Sequence, residues 1–385
     1  MSDPSLPRPT LAVHFADIPD PRRAHGRDHE LLDILVLVVV AILCGADDFT
    51  EIEEFGEDCL DWLRTLVPLK NGIPSHDTIG RVFAALDTVV FGEKLTALLR
   101  PVAASKGPKH VALDGKTSRA SADRNGTARP LHMITAWSTD LGMALAQRAV
   151  GEKKNEISEL PAIIDMLDLR DAVVTIDAIG CQKAIVEAIG RKKGEYILSL
   201  RDNQPNLRAD AQLFLDGVDG KTPKAHVFQT VDNDHGPVVI RQYLLCDDLD
   251  WLDARTEWDG LRSVGRVRVF IQQDDGPHLQ EERLYISSLP AKEVERFARC
   301  RRAHWQVENT LHWVLDVAFR EDQSRARTKN QQANLAVARR LVVGIMGIEK
   351  RKNPRARGVA ARRRKAGRNV EYRNSLLANW IDTAE

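Results

Sequence analysis

Three carboxylates carry the chemistry that this sequence offers. Asp114 closes the short apolar run HVALDGKT (110–117), and Asp177 closes AVVTIDAIG (172–180). A lone charge at the end of a buried strand is costly unless something pairs with it. Glu308 lies in 302–327, where Val307, Leu311, Val314 and Ala318 recur at helical spacing and predict a buried stripe. His304, Glu308 and His312 follow one another at i, i+4 on an adjoining face, which sets the acid beside two imidazoles at the margin of the core. Three such acids brought together would concentrate negative charge that only cations offset. An all-oxygen set that leaves waters in place suits Mg2+ or Mn2+. Two ions about 4 Å apart serve in-line phosphoryl transfer, which needs no protein nucleophile. No Ser-His-Asp or Cys-His pattern competes with this reading. The HxxxExxxH spacing is not the HExxH of a metalloprotease, so His304 and His312 are read as supports or DNA contacts, with plain packing as the alternative. Trp305 and Trp313 are expected in the core.

Basic residues bracket these acids. Lys116, Arg119 and Arg124 follow the first Asp, Arg302 precedes the Glu, and Arg320, Arg325 and Arg327 follow it. A solvated basic rim explains each singly; flanking an acidic set, they fit a phosphodiester substrate better than a sugar or peptide. Net charge is zero, yet 28–61 holds eleven acidic residues and no Lys or Arg, while 339–373 holds thirteen basic residues and two acidic ones. The basic stretch would neutralise phosphates or stand as a solvated tail.

The elements that must position these groups follow from periodicity. At 385 residues, 43% apolar and 29% charged, the chain is an ordinary globular protein of two or three domains. Its five scattered cysteines lack a CxxC pair and suit a reducing cytoplasm. The longest apolar run, 34–44, is too short to cross a bilayer, so no membrane is expected. Residues 1–27 read as an extended arm and 28–105 as a small all-helical domain. In that domain 31–44 is apolar all round, Thr50 and Glu53 have capping-box spacing, and Ser75 or Asp77 caps a third helix. The turn and helix in NGIPSHDTIGRVF (71–83) have the look of a DNA-reading module with Arg81 exposed, against an acid-rich helix that cannot face phosphate. From 106 to 348 strands alternate with helices as in a mixed α/β sheet. Asp114 and Asp177 sit at strand C-termini, where sites of open sheets collect. Between about 220 and 290 the period switches to two, which predicts an antiparallel β insertion before a final helix over 292–320. The basic 349–385 reads as a loosely ordered tail ending in a short helix at 374–381.

The blocks DGK (114–116), TIDAIGCQK (175–183) and HWQVENTLHWVLDVAFREDQSR (304–325) resemble the DDE transposases of bacterial insertion sequences, in their H-repeat-associated, ISAs-type group. NGIPSHDTIGRVF (71–83), RDNQPNL (201–207) and LYISSLP (284–290) resemble further blocks of that group, in order, over roughly 15–345. The resemblance implies a ribonuclease-H-like core with Asp114, Asp177 and Glu308 as the catalytic, metal-holding triad. It also implies two Mg2+ (or Mn2+) ions, and double-stranded DNA as partner, both as element ends and as target. Lys116, Arg119, Arg302, His312 and Arg325 are then the expected DNA contacts. The wider Tyr-Arg-Glu-Lys signature is kept at Arg302 and Glu308 but not at Arg301 and Leu315, and the insertion's His235-Gly236 lacks its usual charged pair. The expected function is a transposase that cuts at the ends of its element and joins the freed 3′-OH to target DNA. It would work as a homodimer on DNA in the cytoplasm, at the nucleoid. A ribonuclease-H-like nuclease without strand transfer, and a decayed DNA-binding repressor, are the alternatives.

Overall fold

The computed structural model describes residues 15–23, 25, 27–97, 107, 109–119, 130–151, 155–218, 222–233 and 236–381, the last three without their side chains. The chain forms two compact units, each discontinuous in sequence. The first takes Met1–Gly107, Gly115–Lys154 and Val307–Glu385; the second takes Pro108–Asp114 and Asn155–Gln306. The helical segment expected to stand alone at 28–105 therefore shares a unit with the C-terminal helices. Of the arm expected at 1–27, most lies outside the described residues, and Phe15 and Ile18 are buried.

The second unit begins with β1 (His110–Ser118), whose last residues pass into the first unit. β4 (Val173–Ile176) and β5 (Glu195–Leu200) pair parallel to β1 in turn. The insertion then continues the sheet instead of leaving it. β9 (Gly276–Ser287) pairs antiparallel to β5, and β8 (Ser263–Gln273), β7 (Val239–Cys246) and β6 (Ala225–Asp232) follow outward. With β2 (Leu131–Ser138) and β3 (Met143–Ala149), the nine strands run in the order β3-β2-β1-β4-β5-β9-β8-β7-β6, the mixed α/β architecture expected. Parallel strands need crossovers, and α5 (Glu156–Asp165) and α6 (Lys183–Arg191) supply them. Asn155 caps α5 through Ser158 in a reciprocal box. α7 (Pro205–Gly217) starts on a proline at its first turn. α8 (Val294–Val307) lays Val294, Phe297, Ala298 and Cys300 on Ile197, Leu245 and Tyr285 of the sheet.

In the first unit α1 (Leu31–Cys44) is buried on almost every side, as its uninterrupted apolar run requires. α2 (Phe49–Asp58) is capped by Asp48, not by the Thr50–Glu53 box; Glu53 instead bonds His76 at the start of α3 (His76–Ala85). Ser75 caps α3 as expected. α4 (Thr88–Ala97) packs on β3; periodicity predicts a fourth helix over roughly 91–104, of which the part past Ala97 lies outside the described residues.

The helix expected over 292–320 is broken in type. After α8 comes a π-helical turn, Glu308–His312, then α9 (Trp313–Ala318). Single π turns inside helices recur at functional sites. The expected apolar stripe holds: Val307 and Leu311 are fully buried and Val314 and Ala318 nearly so. Trp305 and Trp313 do not join it; both are exposed, with the Arg283 guanidinium lying over the Trp305 ring.

α10 (Gln331–Lys352) is followed by α11 (Val359–Arg368), where a loose tail was expected, and by α12 (Val370–Ile381), which contains the short helix expected at 374–381. The reason is that part of the basic charge is spent inside. Arg363 is buried and donates to the carbonyls of Ile42, Ala46 and Ala318 and to Asp47. Arg362 pairs with Glu349, and Arg373 lies between the rings of Phe55 and Trp62. Arg355, Arg357, Arg364, Lys365 and Arg368 stay exposed.

Candidate active site

The two aspartates are placed by sheet register. Leu113 of β1 lies opposite Ile176 of the parallel β4, so Asp114 and Asp177 are the next residues on neighbouring strands. Parallel neighbours lie about 4.8 Å apart. By strand alternation, His110, Ala112 and Asp114 share one face of β1, and Thr175 and Asp177 share that face of β4. Asp114 is half-buried, while the Asp177 side chain remains 67% exposed.

The backbone beyond Asp177 turns at once into a single helical turn, Ala178–Gly180. A Cβ on Gly180 would lie 2.4 Å from Ile176 Cγ2, so only glycine lets the turn fold this closely onto the strand. Asn203 donates its side-chain amide to the carbonyls of Ala178 and Cys181, and Gln204 donates to Cys181 O at 3.0 Å. The RDNQPNL block thus clamps the loop that follows the second aspartate. Ser287 and Ser288, from the LYISSLP block, bond the backbone of Tyr196 on β5 at 2.9 and 2.7 Å.

Asp177 also meets His304 of α8, with Nε2 3.4 Å from Oδ1. That hydrogen bond holds the Asp177 carboxyl below the usual range, with burial opposing. Burial in turn pushes His304 down, against the pull of Asp177. His304 therefore serves Asp177, not Glu308 as its i, i+4 spacing suggested.

Glu308 belongs to the first unit and opens the π turn. Its side chain is 71% exposed and bonds the buried His312 through Nδ1 at 3.0 Å. Burial lowers the His312 pKa, again with the carboxylate opposing. So His312 holds Glu308 from inside, where a DNA contact was expected.

The other expected DNA contacts divide. Lys116 is buried, its ammonium 2.8 Å from Asp316 and 3.7 Å from Asp322; the charge read as a phosphate contact is taken by two acids of α9 and the turn after it. Arg119 is exposed, its backbone N–H bonded to Asp322. Arg302 is 43% exposed and bonded to Asp232 at the end of β6. Arg325 is exposed and lines a cleft of about 640 Å³ together with Arg81, Arg320 and the acids Asp47, Asp48, Glu51 and Asp77. Arg124 lies outside the described residues.

Among the described residues no three of His, Cys, Asp and Glu form a group able to hold a metal ion. What the register does supply is the adjacent pair Asp114 and Asp177. Mg2+ commonly takes one or two carboxylates from a protein and fills its remaining positions with water and substrate phosphate. The donor set therefore fits that ion.

The sequence reading missed His110 and Thr175, which connect to His304, and it missed the clamp made by Asn203 and Gln204. A signal for the first two was present: a polar residue at i−4 from Asp114 and another at i−2 from Asp177, each in an otherwise apolar run.

Comparison with known proteins bears on this site. Residues 12–98 match the family described as DDE_Tnp_1-associated, and residues 105–344 match the transposase DDE domain. The chain is 34% identical to "H repeat-associated putative transposase YhhI" of Escherichia coli (strain K12), over 96% of this chain and 97% of that one. It is equally similar, over the same shares, to "Putative protein YbfL" of the same strain. An uncharacterized protein in the dhlA 3′ region of Xanthobacter autotrophicus is 39% identical over 74% of this chain and 95% of its own length. Among solved structures, the piggyBac transposase synaptic complex with hairpin DNA aligns over 97% of this chain and 76% of that one, at 10% identity and a TM-score of 0.40.

Proposed function

Because this chain belongs to the insertion-sequence DDE transposases, in their H-repeat-associated group, we propose that it cuts phosphodiesters at the ends of its own element and joins the freed 3′-OH to target DNA, with Asp114, Asp177 and Glu308 as the catalytic acids. The observation that carries this is the register that sets Asp114 beside Asp177, each one residue past the paired stretch of two parallel strands. A divalent cation, Mg2+ or Mn2+, held by these acids would supply Lewis acidity toward the scissile phosphate. Two ions are the complement suited to activating the entering oxygen and stabilising the leaving one.

The chain's own residues do the rest. His304 keeps Asp177 ionised and aimed, and the Asn203–Gln204 clamp fixes the loop behind it. His312 steadies Glu308 on the π turn. Arg119, Arg302 and Arg325 are the exposed cations for phosphate, Arg302 by exchanging Asp232 for DNA. Lys116 braces the end of β1 against Asp316. The exposed arginines of α11 and of the loop before it extend the basic surface. Two element ends must be held together for joining, so the working form is a homodimer on DNA, at the nucleoid in the cytoplasm. No helix among the described residues is long and apolar enough to cross a membrane.

The test uses full-length protein with linear DNA carrying the element's ends in Mg2+, then pre-cut ends with a target plasmid. Wild type should cut and join; Asp177→Asn and Glu308→Gln should each lose at least 100-fold in cutting while still binding the ends. Full activity in either variant removes that acid from the mechanism. Cutting without joining converts the reading to a nuclease, and binding without cutting under any metal to a repressor.

A further inference from the structure

Beneath α8 the second unit's sheet carries a row of buried polar groups, beside the buried Arg301, whose guanidinium lies over the Tyr285 ring. His110 on β1, Thr175 on β4 and His304 on α8 are all buried, at 4%, 0% and 7% exposure. His110 Nε2 lies 2.8 Å from Thr175 Oγ1, and the same oxygen lies 2.8 Å from His304 Nδ1. His304 Nε2 then faces Asp177 Oδ1 at 3.4 Å. Apolar residues of similar volume would fill this space without the desolvation cost of three polar groups.

The protons in this row can be assigned one at a time. An ionised carboxylate only accepts, so His304 Nε2 must carry the hydrogen. In a neutral imidazole with hydrogen on Nε2, the other nitrogen, Nδ1, is the acceptor. The Thr175 hydroxyl has one hydrogen to give and gives it to Nδ1. Its lone pair takes the Nε2–H of His110, a ring that burial pushes down to about 3 and so holds neutral. Four groups form one directed chain, from His110 through Thr175 and His304 to Asp177.

We propose that this chain makes His304 a positioning residue for Asp177, with Thr175 and His110 fixing its tautomer and ring orientation, so that one carboxylate oxygen is held and the rest of the carboxylate is presented to a divalent cation. The inference rests on the metal-dependent reading above and deepens it. An imidazole whose far nitrogen is pinned cannot rotate or change tautomer without breaking two buried bonds. Partners of this kind behind a ligand typically change metal affinity or activity 10- to 100-fold.

The experiment measures Mn2+ binding to full-length protein by electron paramagnetic resonance, alongside the 15N–1H pattern of the histidine rings. Thr175→Val keeps the shape and removes the hydroxyl, and Thr175→Ser restores it. Wild type should bind Mn2+ and show His304 as the Nε2–H tautomer. Thr175→Val should bind about 10- to 100-fold more weakly, with His304 mixed between tautomers, and Thr175→Ser should return both readouts to wild type. Binding by Thr175→Val equal to wild type overturns the positioning role and leaves the transposase reading standing. A wild type that binds no Mn2+ removes the metal reading and this role together. Should Thr175→Val fail to fold, the wild-type spectrum still decides: His304 as the Nδ1–H form, or doubly protonated at neutral pH, contradicts the chain.

Discussion

Removing the carboxylate of Glu321 should cost this protein a large share of its stability. Glu321 and Arg340 are both 0% exposed and meet at 2.9 Å inside the first unit. Arg340 also donates from Nε to Thr135 Oγ1 and from Nη1 to the Ala336 carbonyl, both at 3.1 Å. The buried Arg339 stands alongside, bonded to the Asp47 carbonyl, and Arg363 reaches the Asp47 side chain. In Glu321→Leu three buried guanidiniums would be left with Asp47 and, for Arg363, the more distant Glu51. Breaking one side of a buried ion pair costs about 3–5 kcal/mol, and the surplus of cations puts this case in the upper half of that range. At about 2–4 °C per kcal/mol for a domain of 150–250 residues, Tm should fall by roughly 8–20 °C. Replacing both partners, as Glu321→Leu with Arg340→Met, removes the unpaired charge and should recover most of the loss. The assay is urea unfolding of wild type, both single variants and the double variant, taken as a double-mutant cycle. A single variant within about 1 kcal/mol of wild type, or a double variant as unstable as the two losses added, would refute the reasoning. The pair also holds the turn just past α9, so Glu321→Leu should lower DNA cutting through the segment that carries Glu308.

Other consequences follow from single contacts. Gly180→Ala forces a Cβ to within 2.4 Å of Ile176 Cγ2; it should cost ~1–3 kcal/mol and reduce cutting by displacing the loop after Asp177. Gly217→Ala, with nothing within 4 Å, is the neutral control in the same unfolding and cutting assays. The bond from Glu53 raises the pKa of His76, and the backbone and ring of His76 lower that of Glu53. This contact is fully present below the ordinary histidine value and fades as pH rises through the raised one, and it is lost again as pH falls through the depressed carboxyl value. An NMR titration should place the His76 midpoint above about 6.5, and Glu53→Gln should bring it down; an unchanged midpoint contradicts the pairing. Truncation after residue 353 removes Arg363, which satisfies the carbonyls of Ile42, Ala46 and Ala318, so it should yield unfolded protein by circular dichroism. A folded, DNA-weakened fragment would instead mark 354–385 as a dispensable tail.

Much of this was legible from pattern alone. The all-round apolar α1, the strand that ends just before Asp177 and the period-two insertion each follow from spacing that admits one geometry, whereas β1 runs on past Asp114 to Ser118. The adjacency of Asp114 and Asp177 required one step more, since it depends on the parallel register of His110–Leu113 with Val173–Ile176. What failed to show was where charges find partners. Lys116 reads as a phosphate contact because Asp316 stands 200 residues away in sequence. The basic stretch reads as solvated because composition counts guanidiniums but not the carbonyls at the end of α1 that take up Arg363. Helical spacing assigned His304 to Glu308, whereas the sheet beneath α8 claims it for Asp177. The π turn left no trace in sequence, because one extra residue in a turn preserves the apolar stripe on either side of it.

The central claim is that Asp114, Asp177 and Glu308 share bound metal when DNA is cut, and local oxidative cleavage reads it most directly. Fe2+ substituted for Mg2+ in the full-length protein bound to its DNA ends, with ascorbate and peroxide, generates radicals that cut the backbone beside the ion. The account predicts three sets of fragments, ending near residues 114, 177 and 308, all suppressed by excess Mg2+ and absent in Asp177→Asn. Cleavage confined to 114 and 177, with the chain intact around 308, would contradict it.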